Sequence, residues 1–165
     1  MRVTLIRHAE AGDDAPRDEA RALTARGRED ARRLGQALAR RGVEFSLMVT
    51  SPLVRAVQTA EIVASEVGYR DRITVTELLV PDGTASRLVG FLRSTGRERE
   101  MEGTPSIALV AHEPILSGLA AALTGKPRHP PLRKTEALRI RMSSGPDGKG
   151  TLRWRVDARG RREQL

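Results

Sequence analysis

Apolar residues along the chain alternate between short continuous runs and stripes at helical spacing. Val3 to Ile6, Phe45 to Thr50 and Ile107 to Ala111 are short apolar runs, and each breaks off at polar or cationic residues: Arg7-His8, Ser51-Pro52-Leu53-Val54-Arg55 and His112-Glu113-Pro114. Runs of this length, bounded by turn-type residues, predict buried strands. Between the first two, Ala9 to Ala22 is a polar loop, after which Thr24 is placed to cap a helix. Ala31, Leu34 and Leu38 form that helix's inward stripe until Gly42 ends it. Pro52 fits an early helical position, and Val54, Val57, Ile62 and Val67 carry the next stripe to Gly68.

Further on, Ile73 to Leu79 predicts a third strand, Pro81-Asp82-Gly83 a turn and Thr84 to Ser94 a short helix, while Gly96 to Thr104 is charged and expected to be a solvated loop. Ser106 to Ala111 predicts a central strand and Pro114 to Leu123 a helix that Gly125 follows. Lys126 to Lys134 is a proline-containing basic loop. Glu136 to Met142 and Thr151 to Val156 predict a strand pair joined through Gly145-Pro146-Asp147-Gly148, and the tail from about residue 158 is expected to fray. Strands alternating with helices predict an α/β fold: a three-layer α/β/α sandwich over a mostly parallel sheet. The expected organisation is one domain, residues 1–165.

Composition narrows the chemistry. The 165 residues include no cysteine, which excludes disulfides, a thiolate nucleophile and zinc held by cysteine. No apolar stretch approaches the ~18 residues of a membrane span, so a cytoplasmic protein with no membrane partner is expected. A net charge of +8 invites a nucleic-acid partner. The arginines are scattered, however, and aromatic residues make up only 2% of the chain, leaving little on which bases could stack, so nucleic acid is not the expected partner.

In an open parallel sheet the strands' carboxyl ends share one edge, and ligands bind in the crevice beyond it. Arg7, His8, Arg55 and His112 are all placed to meet at that edge. Arginine forks match phosphate geometry, and a neutral imidazole can attack phosphorus to form a phosphoramidate, dividing one hydrolysis into two transfers. Cations held around a phosphoryl group in transit offset the charge spread over its equatorial oxygens.

Four motifs, Leu5-Ile6-Arg7-His8-Ala9-Glu10-Ala11, Leu23-Thr24-Ala25-Arg26-Gly27, Ser51 through Ala60 and Ala111-His112-Glu113-Pro114, occur in order over roughly residues 2 to 142. Together they resemble the histidine phosphatase superfamily and, within it, the branch of SixA-like phosphohistidine phosphatases. The resemblance implies a phosphoglycerate mutase-like fold, a hydrolase without cofactor or metal, His8 as the nucleophile, and Arg7, Arg55 and His112 as groups holding the phosphoryl oxygens. Free backbone donors at the helix start after Glu113-Pro114 are expected to face the same anion.

Other residues have two readings each. Ser51 either caps a helix or lines the pocket, and Glu113 is a possible proton donor or substrate contact. Asp18 and Arg21 either line the pocket mouth or form a surface ion pair. Thr24 and Gly27 are expected to cap and to permit close packing. In the resembled branch a glutamate precedes a Leu-x-Pro-x-Gly stretch, but that position here is Leu78, and Glu77 lies one residue away. A one-residue step along a strand reverses the side-chain face, so Glu77 is not assigned as the acid. A missing acid agrees with a phosphohistidine substrate, whose imidazole departs more readily than an alkoxide. The expected function is therefore a phosphohistidine phosphatase acting on a protein partner, with the chain itself a monomer. The alternatives are a phosphomonoesterase for a small metabolite or nucleotide, with residues 126–134 gripping further phosphates, and a non-catalytic phosphate- or nucleic-acid-binding module.

Overall fold

A computed structural model of the chain describes residues 1–99, 103–143 and 149–164. Its strands are β1 (Arg2–Arg7), β2 (Leu47–Thr50), β3 (Thr74–Val75), β4 (Ser106–Ala111), β5 (Ala137–Met142), β6 (Gly150–Val156) and β7 (Arg162–Gln164). Its helices are α1 (Ala25–Ala39), α2 (Val54–Val67), α3 (Ala85–Arg99) and α4 (Ile115–Thr124). They form an α/β fold around a sheet ordered β3-β2-β4-β1-β5-β6-β7. Pairings from β3 to β1 are parallel and those from β1 to β7 antiparallel. The parallel half carries the three motif-bearing strand ends side by side.

Period-two alternation explains the layers. Ile107, Leu109 and Ala111 of β4 join Leu88 and Leu92 of α3 and Leu116 and Leu119 of α4 in one core cluster. Ala108 and Val110, pointing the other way, join Leu34 and Leu38 of α1 and Ala60 and Val63 of α2. With both faces covered, β4 is buried along its whole length, as a central parallel strand should be. Each fully buried Leu of these layers contributes about 1.5–3 kcal/mol relative to exposure. Among the described residues no helix is long and apolar enough to cross a membrane.

The structure revises several expectations. Of residues 73–79 only Thr74–Val75 is strand, exposed at the sheet edge. Thr76 Oγ1 then caps a 3-10 turn over Glu77–Leu79, which lets Leu79 drop fully into the core. Helix α3 takes up the first part of the supposed solvated loop, as far as Arg99, whose guanidinium donates to the Ser46 carbonyl at 3.0 Å, while Thr95 and Gly96 are buried and Gly103 and Thr104 are exposed. Residues 100–102 of that loop, and the expected turn Gly145–Gly148, lie outside the described residues. Pro52 precedes α2 rather than opening it, because the first helical residue is Val54. The chain does not fray at 158. Asp157 folds it back by accepting from the Arg159 and Arg161 amides at 3.0 and 2.9 Å, and β7 then pairs with β6.

Candidate active site

Parallel pairing aligns the motif-bearing ends. Arg7 is opposite Ala111 in the β1–β4 register, and Thr50 is opposite Val110 in the β2–β4 register. The residues that follow, His8, Ser51 and His112, therefore leave the sheet at one level. The His8 amide donates to the Ala111 carbonyl at 2.9 Å, extending the ladder one step past the strand.

His8 and His112 are both buried, 8% and 2% exposed, with ring centroids 4.9 Å apart and planes tilted by 50°. Burial, with the nearby positive charges of Arg55, Arg7 and Lys134, lowers the His8 pKa to about 4, although the hydrogen bond to Ala9 opposes the shift. Burial, followed by His8 and Arg55, lowers that of His112 to about 3. Both rings are therefore neutral at physiological pH. His8 Nδ1 lies 2.7 Å from the Ala9 carbonyl oxygen. A carbonyl only accepts, so Nδ1 carries the ring's single proton and Nε2 keeps its lone pair, the state a nucleophile needs.

The surroundings hold that ring still. The Thr135 amide donates to the His8 carbonyl at 3.2 Å. The Ala9 amide donates to Thr59 Oγ1 at 3.1 Å, and Thr59 in turn donates to the Arg55 carbonyl at 2.7 Å, so the loop carrying His8 is joined to the helix turn carrying Arg55. Thr59 lies inside a motif, fully buried among Ala56, Ala60 and Val63 of α2, and its type alone does not mark it for this role. Gly27 is required here for a steric reason: a Cβ would stand 2.0 Å from the Glu10 carbonyl oxygen. Thr24 Oγ1 caps α1 by accepting from the Gly27 amide at 2.9 Å, and Thr24 and Gly27 together seat the start of α1 on the loop after β1.

Arg55, 5% exposed, reaches across to the Ala9–Ala22 loop. Its Nη1 donates to the Asp18 carbonyl at 2.7 Å and its Nη2 to Asp18 Oδ2 at 2.9 Å. Hydrogen bonds from Arg55 and then Arg21 hold the Asp18 carboxyl below the usual carboxylate range. Arg21 binds Asp13, Asp18 at 3.1 Å and the Gly12 carbonyl at 2.8 Å, so its guanidinium is spent on the loop after β1. The expected Asp18–Arg21 pair is thus part of a relay that ends on Arg55. Arg7 Nη1 donates to the Leu132 carbonyl at 2.8 Å, while its buried Nε has no partner among the described residues.

Both carboxyl oxygens of Glu113 are engaged within the fold. Its Oε1 accepts from the Leu132 amide at 2.8 Å and its Oε2 from Ser117 Oγ at 2.6 Å, so the carboxylate clamps the basic loop onto α4. Two of the first donors of α4 are not open as expected: the Leu116 amide binds the His112 carbonyl and the Ser117 amide binds Glu113 Oε2. Glu77 is exposed on its 3-10 turn, and Leu78 packs against the core. Ser51 is fully buried, with Oγ 2.6 Å from His112 Nε2. Among the described residues no group of three or more His, Asp or Glu side chains is placed to hold a metal ion.

Residues 3–80 match the histidine phosphatase superfamily (branch 1). The phosphohistidine phosphatase SixA of Escherichia coli (strain K12) is 29% identical over 156 residues, covering 94% of this chain and 93% of that protein. The structure of the protein histidine phosphatase SixA complexed with tungstate superimposes with a TM-score of 0.87 at 26% identity, over 96% of this chain and 97% of the other. The alpha-ribazole phosphatase from Shigella flexneri shares the fold at a TM-score of 0.68 and 23% identity, over 93% and 95% of the two chains.

Proposed function

The chain belongs to the histidine phosphatase superfamily, in its SixA-like branch, and from that premise we propose that this phosphatase hydrolyses phosphohistidine on a partner protein through a covalent intermediate on His8. One observation carries the proposal: a neutral, buried imidazole whose Nδ1 is tied to the Ala9 carbonyl, leaving Nε2 bare beside a second neutral imidazole and within the influence of two arginines. Nε2 of His8 attacks phosphorus, the bond from phosphorus to the substrate's imidazole nitrogen breaks, and that imidazole leaves with its electron pair and takes up a proton. Water then attacks the phosphohistidine, releasing inorganic phosphate and restoring Nε2. Arg7, Arg55 and His112 offset the charge on the phosphoryl oxygens, so the reading calls on no metal.

The reading of the substrate class rests on the acid. Both carboxylate oxygens of Glu113 are engaged and Glu77 is exposed on its turn, so neither supplies a preset proton donor. An imidazole leaving group tolerates that absence better than an alkoxide does. The similarity to SixA over nearly the whole chain supports the same class.

The test is single-turnover labelling, with a radiolabelled phosphohistidine protein and a small phosphomonoester as parallel donors, on wild type and His8→Ala. Acid-labile, base-stable label on wild type from the protein donor, absent in His8→Ala, is the expected result. Label from the small ester alone keeps the chemistry and moves the substrate to a metabolite. Label retained by His8→Ala removes His8 as the nucleophile.

A further inference from the structure

Two buried polar atoms at the site lack a hydrogen-bond partner among the described residues, Arg7 Nε and His112 Nδ1. The second becomes informative when the protons around Ser51 are counted. A serine hydroxyl has one proton to donate and two lone pairs to accept with. Ser51 Oγ has two partners among the described residues, His112 Nε2 at 2.6 Å and the Leu53 amide at 3.4 Å. The Leu53 amide can only donate. If His112 Nε2 also donated, the hydroxyl proton of a fully buried serine would have no acceptor, and the Nδ1 lone pair would be buried without a donor as well. If Ser51 donates to a bare Nε2, the hydroxyl is satisfied on both counts and the imidazole's single proton sits on Nδ1. One unpaired N–H then remains, and it is a donor beside the nucleophile's ring, 4.9 Å away centroid to centroid.

We propose that Ser51 is a positioning residue which locks His112 in the Nδ1–H tautomer, so that a neutral histidine presents a preset donor to the phosphoryl group. This rests on the reading above that His112 meets the phosphoryl oxygens. Both histidines then share a tautomer and use opposite nitrogens: the Ala9 carbonyl occupies Nδ1–H of His8 and frees its lone pair, while the Ser51 hydroxyl occupies Nε2 of His112 and frees its N–H. Ser51 itself makes no contact with substrate in this assignment. Its place at the first residue after β2, where the parallel register sets β2 beside β4, is what brings it to His112.

The experiment is 15N NMR of the imidazole nitrogens at neutral pH, together with steady-state kinetics, on wild type, Ser51→Ala and Ser51→Thr. In wild type, His112 should show a bare, pyridine-type Nε2 and a protonated Nδ1; the reverse pattern overturns the proposal whatever the activity. Ser51→Ala should mix the two tautomers and lower kcat about tenfold with little change in KM, because the lost donor acts on the transition state. Ser51→Thr, which keeps the hydroxyl, should restore both. An unchanged tautomer and kcat in Ser51→Ala, or a mixed tautomer in Ser51→Thr, overturns the role of Ser51. Should Ser51→Ala fail to fold, the wild-type pattern and Ser51→Thr still decide. The underlying reading fails separately, by full turnover in His112→Ala.

Discussion

The sheet buries an arginine near each end, and the two are handled differently. Arg139 of β5 lies towards the amino end of β1 and β4, 7% exposed, donating to Thr4 Oγ1 at 2.6 Å and Ser106 Oγ at 3.4 Å with Trp154 stacked 5.7 Å away. Burial lowers its pKa to about 10, and its partners are neutral groups of its own fold. Arg55, at the carboxyl end, is as buried, yet its partner is Asp18 on a loop, a carboxylate 58% exposed, and its neighbours include Arg7 Nε and His112 Nδ1, unpaired among the described residues. Burial of a cation is therefore common to both ends. What separates a site from a strut is hydrogen-bonding capacity left unspent, or spent on a group that a ligand can displace.

Three substitutions test this contrast, beginning with the largest effect. Arg55→Ala should lower kcat/KM at least about 100-fold, on the order of 3 kcal/mol of transition-state stabilisation, as for loss of a preorganised donor. Steady-state kinetics on a phosphohistidine protein measures it, and unchanged values would make Arg55 a strut like Arg139. Asp18→Asn removes a negative charge from the guanidinium while keeping an amide oxygen in its place. Inorganic phosphate should then inhibit more tightly by about fivefold, near 1 kcal/mol for a partly exposed pair. Weaker inhibition would instead show that the Asp18 charge orients Arg55 for the ligand. Arg139→Met should leave kcat unchanged and cost about 1–2 kcal/mol in denaturant unfolding, the loss of two hydrogen bonds to neutral groups. A fall in kcat there would erase the contrast between the two ends.

Much of this was legible in the chain. The runs ending at Arg7, Thr50 and Ala111 identified the strands whose carboxyl ends carry the candidate residues, because a strand buried on both faces needs continuous apolar sequence. Thr24 and Gly27 were legible for a similar reason, since caps and close approaches depend on local chemistry. Helix α3 was underestimated where its sequence turns charged, at Arg97 to Arg99, because periodicity weakens when a helix's last turn is held by a distant carbonyl, here Ser46. β7 was missed for the same kind of reason: three polar residues become a strand only because Asp157 turns them back onto β6.

The roles around the pocket divide along this line. Sequence by itself determined which side chains are candidates for phosphoryl chemistry, His8, His112, Arg7 and Arg55, because residue type sets nucleophilicity, charge and donor geometry. It also determined that they stand at strand and helix ends. Only the tertiary structure decided which of their neighbours are free. Glu113 became a clamp on Leu132, Asp18 became the partner of Arg55, and Ser51 came to face His112, since each pairing joins residues 19 to 61 positions apart. A hydrogen bond is settled by tenths of an ångström between such distant residues, and no pattern along the chain encodes that distance until the sheet sets its register.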